Sequence, residues 1–321
     1  MNIKFKKKSF LFKFLKSINN SKNSFKLKKG WIVKLQFSNI NIGFGEISPL
    51  NKDHIDICKQ QLNQIPENIS KNNLLKKINN FHPCVQSGIN SALAELEGVI
   101  SYNYKYSFNE INQSAILVNS QTILDEIEKL QRLNISPKNH LTIKWKVAIK
   151  DNKTEEKILE EILSKKGTNI RLRIDSNGSW SRECAHRWAD ILKNEIILDW
   201  LEQPLPVDDI EGLIELNKKI PVALDESLIK YPKLIHSWKG WQIRRPSQES
   251  DPLRLIEQLD NNKGFISLST SFETGVGRRL LFHLSNIQLQ GLTPKVPGLA
   301  LREMPKTFLF ENNPKLIWDR L

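Results

Sequence analysis

The sequence lacks the features that identify a disulfide-stabilised, zinc-binding or membrane-spanning protein. Its 321 residues include only three cysteines, Cys58, Cys84 and Cys184, which lie far apart and show no Cys-x-x-Cys spacing. This number and spacing argue against a disulfide framework and a zinc site, and they fit a reducing compartment. No apolar run approaches the roughly 20 residues that a helix needs to cross a bilayer. We therefore expect a folded cytoplasmic protein with no membrane partner.

Nucleotide-binding motifs are also absent, and basic charge is the most unusual feature of the composition. No Gly-x-Gly-x-x-Gly follows a predicted strand and no Walker loop occurs, which weakens nucleotide-binding folds. The formal net charge is +13, and clustered lysines would indicate a nucleic-acid or anionic-membrane partner. Apart from Lys6, Lys7 and Lys8, however, the lysines are scattered among Asn and Ile. We favour a solvated basic surface, which would attract a small anionic substrate, over nucleic-acid binding.

The first part of the chain is predicted to be an α+β unit. Its start is basic and apolar enough for a transit peptide or an interfacial helix. Ile3, Phe5, Phe10 and Phe12 have the spacing of a pleated strand, however, and we favour a strand. The other predicted elements are a strand over residues 30–37, a turn over 43–46 and helices over 53–64 and 87–102.

From about residue 113, short apolar strands alternate with charged helices. This alternation predicts a parallel sheet, and the number of units favours closure into a barrel over a doubly wound open sheet. The predicted strands are residues 115–118, 141–149, 170–175, 196–201, 222–225, 241–245 and 265–269. The predicted helices are residues 121–133, 153–165, 181–194, 208–218 and 252–260.

Three acidic residues, Asp175, Glu202 and Asp225, end successive predicted strands of this barrel. They are 27 and 23 residues apart, close to one strand–helix unit of about 30 residues. Neighbouring parallel strands would aim the three carboxylates at one point, and oxygen ligands in that number suit Mg²⁺, with Mn²⁺ as a substitute. Any one of these acids alone is as well explained as the N-cap of the next helix. All three in register favour a metal site.

Strand parity predicts which side chains accompany the carboxylates. Residues two apart share a face, so Arg173 points inward with Asp175, and Asn177 follows as a candidate to orient the metal ligands. The same parity places Lys144 and Lys146 together inside the barrel. Buried lysines are costly unless they are paired or functional, so the alternatives are a salt-bridged pair or a base with a lowered pKa. A lysine base beside bound Mg²⁺ predicts proton abstraction next to a carboxylate.

The assembled motifs resemble the muconate-lactonising branch of the enolase superfamily. The motifs that carry this resemblance are Lys144-x-Lys146, Asp175-x-Asn177, Glu202-Gln203-Pro204 and Asp225-Glu226-Ser227. Further segments, residues 43–50, 87–96 and 269–275, look like the o-succinylbenzoate synthase family within that superfamily. The resemblance covers nearly the whole chain.

The resemblance implies a (β/α)7β TIM-like barrel over residues 109–290 and an α+β capping domain over 1–108. The tail, residues 291–321, would pack back toward the cap. Mg²⁺ would be held by Asp175, Glu202 and Asp225, with Glu226 among the residues around the ligands and Lys146 as the base. The family's enzymes dehydrate a small anionic cyclohexadiene carboxylate to o-succinylbenzoate for menaquinone or phylloquinone synthesis. The loop over residues 21–25 would cover the substrate.

The chain departs from the family at one informative position. Where the family has a lysine before a proline on the sixth strand, this chain has Arg245 before Pro246. Arginine stays protonated and cannot act as a general base, so racemases and epimerases, which need a base on each face of the substrate, lose support. A dehydration needs only one base. The alternative is a misaligned strand in which Arg244 or Lys239 fills the position.

Ser269 and Ser271 are predicted to receive a substrate carboxylate, together with backbone N–H groups near Gly275, although serines at a strand end are also ordinary helix caps. Two other functions remain open: another lyase or cycloisomerase of the superfamily, and a catalytically silent basic barrel that binds RNA. The sequence does not distinguish a monomer from a dimer.

Overall fold

The N-terminal part of the chain is an antiparallel sheet. The computed structural model describes residues 2–19, 21, 24–38, 41–101, 114–132, 140–165, 169–261 and 264–321. The sheet consists of β1 (Asn2–Asn19), β2 (Ser24–Gln36), β3 (Ile42–Ile47) and β4 (Asn68–Ser70), in the order β3-β2-β1-β4. The predicted N-terminal strand is therefore confirmed, and residues 2–19 do not form the competing helix.

Three helices complete this cap domain. They are α1 (Ile55–Asn63), α2 (Lys71–Ile78) and α3 (Pro83–Leu96). Their apolar sides pack against Ile3, Val33, Leu35 and Ile47 of the sheet in one buried cluster. The sheet and helices thus form the α+β unit that the sequence predicts.

The prediction of a turn over residues 43–46 is wrong, because these residues lie inside β3. Their glycines permit a close approach to α3. A Cβ on Gly43 would lie 1.9 Å from the Ala92 carbonyl oxygen, and one on Gly45 would lie 1.8 Å from the Gly88 carbonyl oxygen. The strand and helix backbones are therefore in direct contact, and only glycine, which has no Cβ, allows so close an approach.

The boundaries of α3 also differ from the prediction of a helix over residues 87–102. Pro83 occupies its first turn, and the His82 ring accepts a hydrogen bond from the Cys84 N–H, so the helix begins earlier. Gly98 has a φ of 72° just beyond the last turn, and the helix ends earlier than predicted. Proline and glycine signals therefore determine both ends.

The following part of the chain is a parallel barrel wall. Seven strands lie side by side in chain order, from β5 to β11. The strands are β5 (Ile116–Asn119), β6 (Leu141–Lys146), β7 (Ile170–Asp175), β8 (Leu198–Glu202), β9 (Val222–Leu224), β10 (Trp241–Arg244) and β11 (Ile266–Leu268). The helices that follow them are α4 (Ile123–Gln131), α5 (Asn152–Ser164), α6 (Arg182–Leu192), α7 (Ile210–Asn217), α8 (Glu226–Lys230), α9 (Leu234–Ser237), α10 (Leu253–Asp260) and α11 (Gly275–Leu289).

A short segment at residues 297–299 closes the wall between the first and last strands. The Pro297 carbonyl accepts a hydrogen bond from the Ala115 N–H at 2.9 Å, next to β5. The Gly298 N–H donates to the Leu268 carbonyl at 2.8 Å, on β11. The predicted barrel of the (β/α)7β type is therefore confirmed, and the open-sheet alternative is wrong.

Strand parity is borne out on the outside of the barrel. The residues that alternate with the inward-facing lysines and Asp175 all lie in the apolar layer between strands and helices: Ile143, Trp145, Val147, Ile170, Leu172 and Ile174. The strand of the lysines ends earlier than predicted, at Lys146 rather than residue 149. Ala148 has a φ of 59°, and the buried Glu155 carboxylate accepts hydrogen bonds from the N–H groups of residues 148–150.

The C-terminal tail ends in α12 (Pro314–Arg320) and packs on the first hairpin. Met304, Leu309 and Trp318 share a buried cluster with Phe10 and Phe12 of β1. The division at residues 108/109 stays a prediction, since it lies outside the described residues, as do residues 22–23 of the loop at 21–25. In the described ranges, no helix combines the length and apolar content needed to cross a bilayer.

The contact between β3 and α3 predicts a steep cost for any side chain at Gly45. We expect Gly45→Ala to lower the free energy of unfolding by about 2 kcal/mol or more, because the new methyl must separate two backbones. Urea unfolding measures this difference. The matched control is Gly264→Ala, whose Cβ would have no neighbour nearer than 3.6 Å and should change stability by no more than about 0.5 kcal/mol. Equal effects of the two variants would contradict this explanation.

Candidate active site

Three acidic side chains converge at the carboxyl end of the barrel strands. Asp175 ends β7, Glu202 ends β8, and Asp225 directly follows β9. Asp175 and Glu202 are directly paired across β7 and β8. All three are almost completely buried. The structure therefore brings the three predicted carboxylates together at the end of a barrel where catalytic groups are usually carried.

Two lysines of β6 contact these carboxylates. The Lys144 ammonium lies 2.9 Å from Asp175 Oδ2 and also donates to Glu202 Oε1. The Lys146 ammonium lies 2.5 Å from Asp175 Oδ2 and 3.0 Å from Asn177 Oδ1. One ammonium thus bridges two carboxylates, while the other is held at the side of the cluster.

Arg245 supplies the third cation from the opposite wall. Its guanidinium donates to Asp225 through Nε at 2.8 Å and through Nη2 at 2.5 Å, and also donates to the Thr270 carbonyl. The neighbouring Arg244 pairs instead with Glu249, and Lys239 is exposed. Arg245, rather than either alternative, therefore occupies the position that faces the carboxylates.

Burial and the neighbouring charges shift the pKa values of Lys144 and Glu202. Burial alone would lower the pKa of Lys144, but Asp175 and Glu202 outweigh it and raise the pKa above its usual value. The expectation of a lowered lysine pKa is thus not met at Lys144, because the carboxylates lie so close. Burial, followed by the repulsion of Asp175, raises the pKa of Glu202 to about 8. A carboxylate so disfavoured gains most from a further cation.

The three carboxylates are of the kind that binds a hard divalent cation, although in this structure they are paired with lysine and arginine side chains. Within the residues described, no three His, Cys, Asp or Glu side chains are arranged as a metal-binding group. Asp175 and Glu202 nevertheless share one cation, the Lys144 ammonium. Two carboxylates that already converge on one positive charge, with Asp225 on the next strand, supply the oxygen ligands that Mg²⁺ prefers.

Amide and acid side chains hold the carboxylates in place. Asn177 donates to Glu226 Oε1 at 2.9 Å while it accepts from Lys146, so Asn177 and Glu226 both border the cluster. Gln203 was not among the predicted site residues. Its Oε1 accepts from the N–H groups of Asp225 at 3.2 Å and Ser227 at 3.0 Å, which ties β8 to β9. Its place directly after Glu202 is the signal that could have identified it.

Asn177 and Gln203 also carry unusual backbone conformations. Their φ values are 51° and 36°, in the left-handed region that non-glycine residues seldom adopt. Such conformations cost about 1 to 3 kcal/mol each and persist only where surrounding contacts hold them. The backbone turns sharply after Asp175 and Glu202, which keeps both carboxylates at the mouth of the barrel.

Arg173 shares the inner face of β7 with Asp175, as parity predicts, but it does not bond to the carboxylate cluster. Its Nε donates to Asp199 Oδ2 at 3.1 Å, and its guanidinium lies 4.2 Å from the Trp200 ring centre. Lys295 donates to the other Asp199 oxygen at 2.5 Å. These ion pairs, of which only the one between Arg173 and Asp199 is fully buried, form a separate group, so Arg173 has a structural role in this arrangement.

The predicted carboxylate-binding serines have different surroundings. Ser269 lines the cavity above the cluster, whereas Ser271 is fully buried and does not line it. The backbone N–H groups at the start of α11 are already used: the buried Glu46 of β3 accepts hydrogen bonds from Thr274 and Gly277. That helix start therefore binds a carboxylate of the cap domain, which leaves Ser269 as the candidate for substrate contact.

The cavity above the carboxylates has a volume of about 80 Å³. Its polar side presents Lys144, Lys146 and Arg245, and its apolar side includes Phe25 of the cap and Phe272 of the barrel. A small anion with an apolar ring matches both sides.

The buried pair of Arg173 and Asp199 predicts a stability effect. We expect Asp199→Asn to lower the free energy of unfolding by about 3 kcal/mol, because the guanidinium would remain buried without its carboxylate. The control is Asp208→Asn, which removes an exposed ion pair with Lys230 and should cost at most about 1 kcal/mol. Denaturant unfolding compares them. A loss at Asp199 no larger than at Asp208 would contradict the structural role.

The chain is similar in sequence and in fold to several known proteins. A family model described as enolase C-terminal domain-like matches residues 128–236, which contain both lysines and all three carboxylates. The o-succinylbenzoate synthase of Thermosynechococcus vestitus is 26% identical over 275 residues, covering 80% of each chain. The structure of o-succinylbenzoate synthase from Thermosynechococcus elongatus BP-1, complexed with Mg in the active site, has a TM-score of 0.80 at 21% identity, over 99% of this chain and 100% of that one. N-succinyl Arg/Lys racemase from Bacillus cereus has a TM-score of 0.71 at 17% identity, over 96% and 89% of the two chains.

Proposed function

Because this chain belongs to the enolase superfamily, we propose that it is a magnesium-dependent lyase of the o-succinylbenzoate synthase type. The proposed reaction is the syn-dehydration of 2-succinyl-6-hydroxy-2,4-cyclohexadiene-1-carboxylate to o-succinylbenzoate, a step of menaquinone or phylloquinone biosynthesis. Proton abstraction next to a carboxylate is the first chemical event, and loss of the ring hydroxyl as water is the second.

One observation carries this proposal: the two walls of the cavity offer cations of different kinds. Lys146 lies on β6 and Arg245 directly follows β10, four strands further around the barrel, so they face each other across the carboxylates. Lysine can lose its proton and act as a base, whereas arginine stays protonated at any ordinary pH. A base on one wall alone suits a dehydration and does not suit racemisation, which needs one on each face.

In the proposed reaction a single lysine both removes the proton and returns it. The neutral Lys146 amine takes the proton from the carbon that bears the substrate carboxylate. The ammonium so formed then gives that proton to the departing hydroxyl group, water leaves, and the ring becomes aromatic. Removal and return of the proton by one group require both events on the same face of the ring, which is why the elimination is syn. Asn177, 3.0 Å from the Lys146 ammonium, would hold it in position between the two steps.

Asp175, Glu202 and Asp225 are proposed to hold Mg²⁺. The ion, when bound, stabilises the negative charge that develops on the substrate carboxylate as the proton leaves. Lys144 bridges Asp175 and Glu202, so it would share these two carboxylates with the ion. Arg245 would stay paired with Asp225 and present its remaining positive charge to the ring or its anion.

The main test is the Mg²⁺-dependent conversion of the cyclohexadiene carboxylate to o-succinylbenzoate, followed by ultraviolet absorbance. We expect Lys146→Arg to lose at least about a thousandfold in kcat, because it keeps the positive charge beside Asp175 but removes the base. The exposed Lys233→Arg is the matched control and should retain wild-type turnover. EDTA should abolish activity, and added Mg²⁺ should restore it.

Metal binding needs a measurement that does not depend on turnover. Isothermal titration calorimetry should detect Mg²⁺ binding to the wild-type protein and its loss in Glu202→Gln. Mg²⁺ binding without turnover on this substrate would overturn the synthase proposal and keep the metal site, which would favour another lyase or a cycloisomerase of the superfamily. Absence of Mg²⁺ binding would overturn the metal site itself.

The identity of residue 245 yields a separate prediction about racemisation. The wild-type protein should not racemise N-succinyl-L-arginine, because only one wall carries a base. Arg245→Lys places a second amine opposite Lys146 and is expected to introduce measurable racemisation while leaving Mg²⁺ binding intact. Chiral chromatography of reactions run in D₂O detects racemisation, and mass spectrometry of the separated enantiomers detects deuterium uptake. Racemisation by the wild-type protein at the rate of the variant would contradict the one-base assignment.

A further inference from the structure

The positive charge of the protein is concentrated at its N-terminus. Residues 1–45 contain eleven lysines and no aspartate or glutamate, so they account for eleven of the thirteen units of net charge. The interpretation of the lysines as scattered is therefore wrong for this segment. Most of it forms the hairpin of β1 and β2.

The two faces of this hairpin differ. The inner face carries Phe10, Phe12, Phe14 and Ile18, which are buried against the C-terminal tail and Phe272. Ile18 also lines the active-site cavity. Because side chains alternate along a strand, the residues between these phenylalanines point away from the protein.

The outer hairpin face, defined here as Leu11, Lys13, Leu15, Leu27 and Lys29, combines apolar and basic side chains. The three leucines are 59%, 59% and 57% exposed. Lys13 lies opposite Leu27 and Leu11 lies opposite Lys29 in the antiparallel register, and both lysines are exposed. The face is therefore a row of leucines interleaved with positive charges, with no acidic residue on either strand.

We propose that the outer hairpin face docks on the surface of an anionic lipid bilayer. Leucine side chains of this kind insert at the boundary between headgroups and acyl chains, and the lysines beside them attract negatively charged headgroups. Two signals of different kinds on one surface are what stable membrane binding requires. The proposal goes beyond the dehydration reaction and replaces the expectation that no membrane is involved.

Nucleic acid and a second copy of the chain fit this face less well. Single-stranded nucleic acid is bound by exposed aromatic rings together with basic side chains, whereas the phenylalanines of β1 point inward. A second copy docked on the same face would bring lysine-rich surfaces together without acidic residues to offset them, and like charges in contact are unfavourable. A bilayer with negative headgroups matches both the leucines and the lysines.

Vesicle co-sedimentation of the full-length protein tests the proposal. We expect binding to mixed phosphatidylcholine–phosphatidylglycerol vesicles, weakening as salt is raised, and no binding to pure phosphatidylcholine. The Lys13→Glu/Lys29→Glu variant should bind at least about 30-fold more weakly, since each lysine near an anionic surface contributes roughly fivefold. Leu11→Ser/Leu15→Ser/Leu27→Ser should bind on the order of tenfold more weakly, because less apolar area enters the interface.

Matched controls separate this face from general surface properties. Lys233→Glu/Lys239→Glu changes the charge by the same amount on an exposed part of the barrel, and Leu292→Ser removes a leucine that is 75% exposed. Both should bind vesicles as the wild-type protein does. Circular dichroism checks that every variant is folded, and turnover should be unchanged in all of them.

Three outcomes would overturn the proposal. Equal loss of binding in the hairpin and control variants would show a general charge effect. Binding of labelled RNA at physiological salt, lost in the lysine variant and unaffected in the leucine variant, with no vesicle binding, would make the face a nucleic-acid site. Self-association in light scattering that disappears in the leucine variant, again without vesicle binding, would make it a subunit interface.

Discussion

Three buried carboxylates at one end of a barrel must be neutralised, and the architecture of this protein follows from that requirement. Asp175, Glu202 and Asp225 lie almost out of reach of water, where an unpaired charge costs several kcal/mol. In the described structure the compensating charges are Lys144, Lys146 and Arg245. Parallel strands are the means of bringing them together, because each strand delivers its last residue to the same edge. A bound divalent cation would take over part of this neutralisation and leave a lysine available for proton transfer.

The rest of the fold maintains that cluster by separating it from other buried charges and from water. Below it, Asp199 is occupied by Arg173 and Lys295, so the inner wall holds two independent groups of ion pairs. Above it, the cap is tied to the barrel by Glu46, whose carboxylate accepts the N–H groups at the start of α11. Burial, the largest effect, raises the pKa of Glu46 to about 7 despite those hydrogen bonds. The cap is therefore anchored to the barrel by a buried polar contact.

Much of this arrangement can be predicted from local sequence. Where a prediction is wrong or a contact is missed, there is a physical cause. Alternation of apolar and charged residues predicts β7 to the residue and places Lys144, Lys146 and Asp175 on the inner face, because parity is a local property of a strand. Gly43 and Gly45 are misassigned to a turn, since their function is to admit α3, which is distant in sequence. The partners of Arg173 and Glu46 are missed for the same reason: Asp199 and Thr274 come from other strands and helices. The left-handed backbone of Gln203 has no local sequence signal at all.

Arginine at position 245 gives one wall of the site a fixed positive charge, which a lysine at that position would not provide. Its guanidinium holds Asp225 through two parallel hydrogen bonds, a geometry that the fork of arginine provides and a single ammonium does not. Because that guanidinium keeps its proton, the charge opposite Lys146 would be the same before and after the substrate loses its own proton in the proposed reaction. In the proposed reaction, proton movement would be restricted to one wall of the cavity, and the other wall would keep a fixed positive charge near the anion. An elimination whose proton leaves and returns on one face of a ring needs a base on only one wall, and this arrangement is compatible with it.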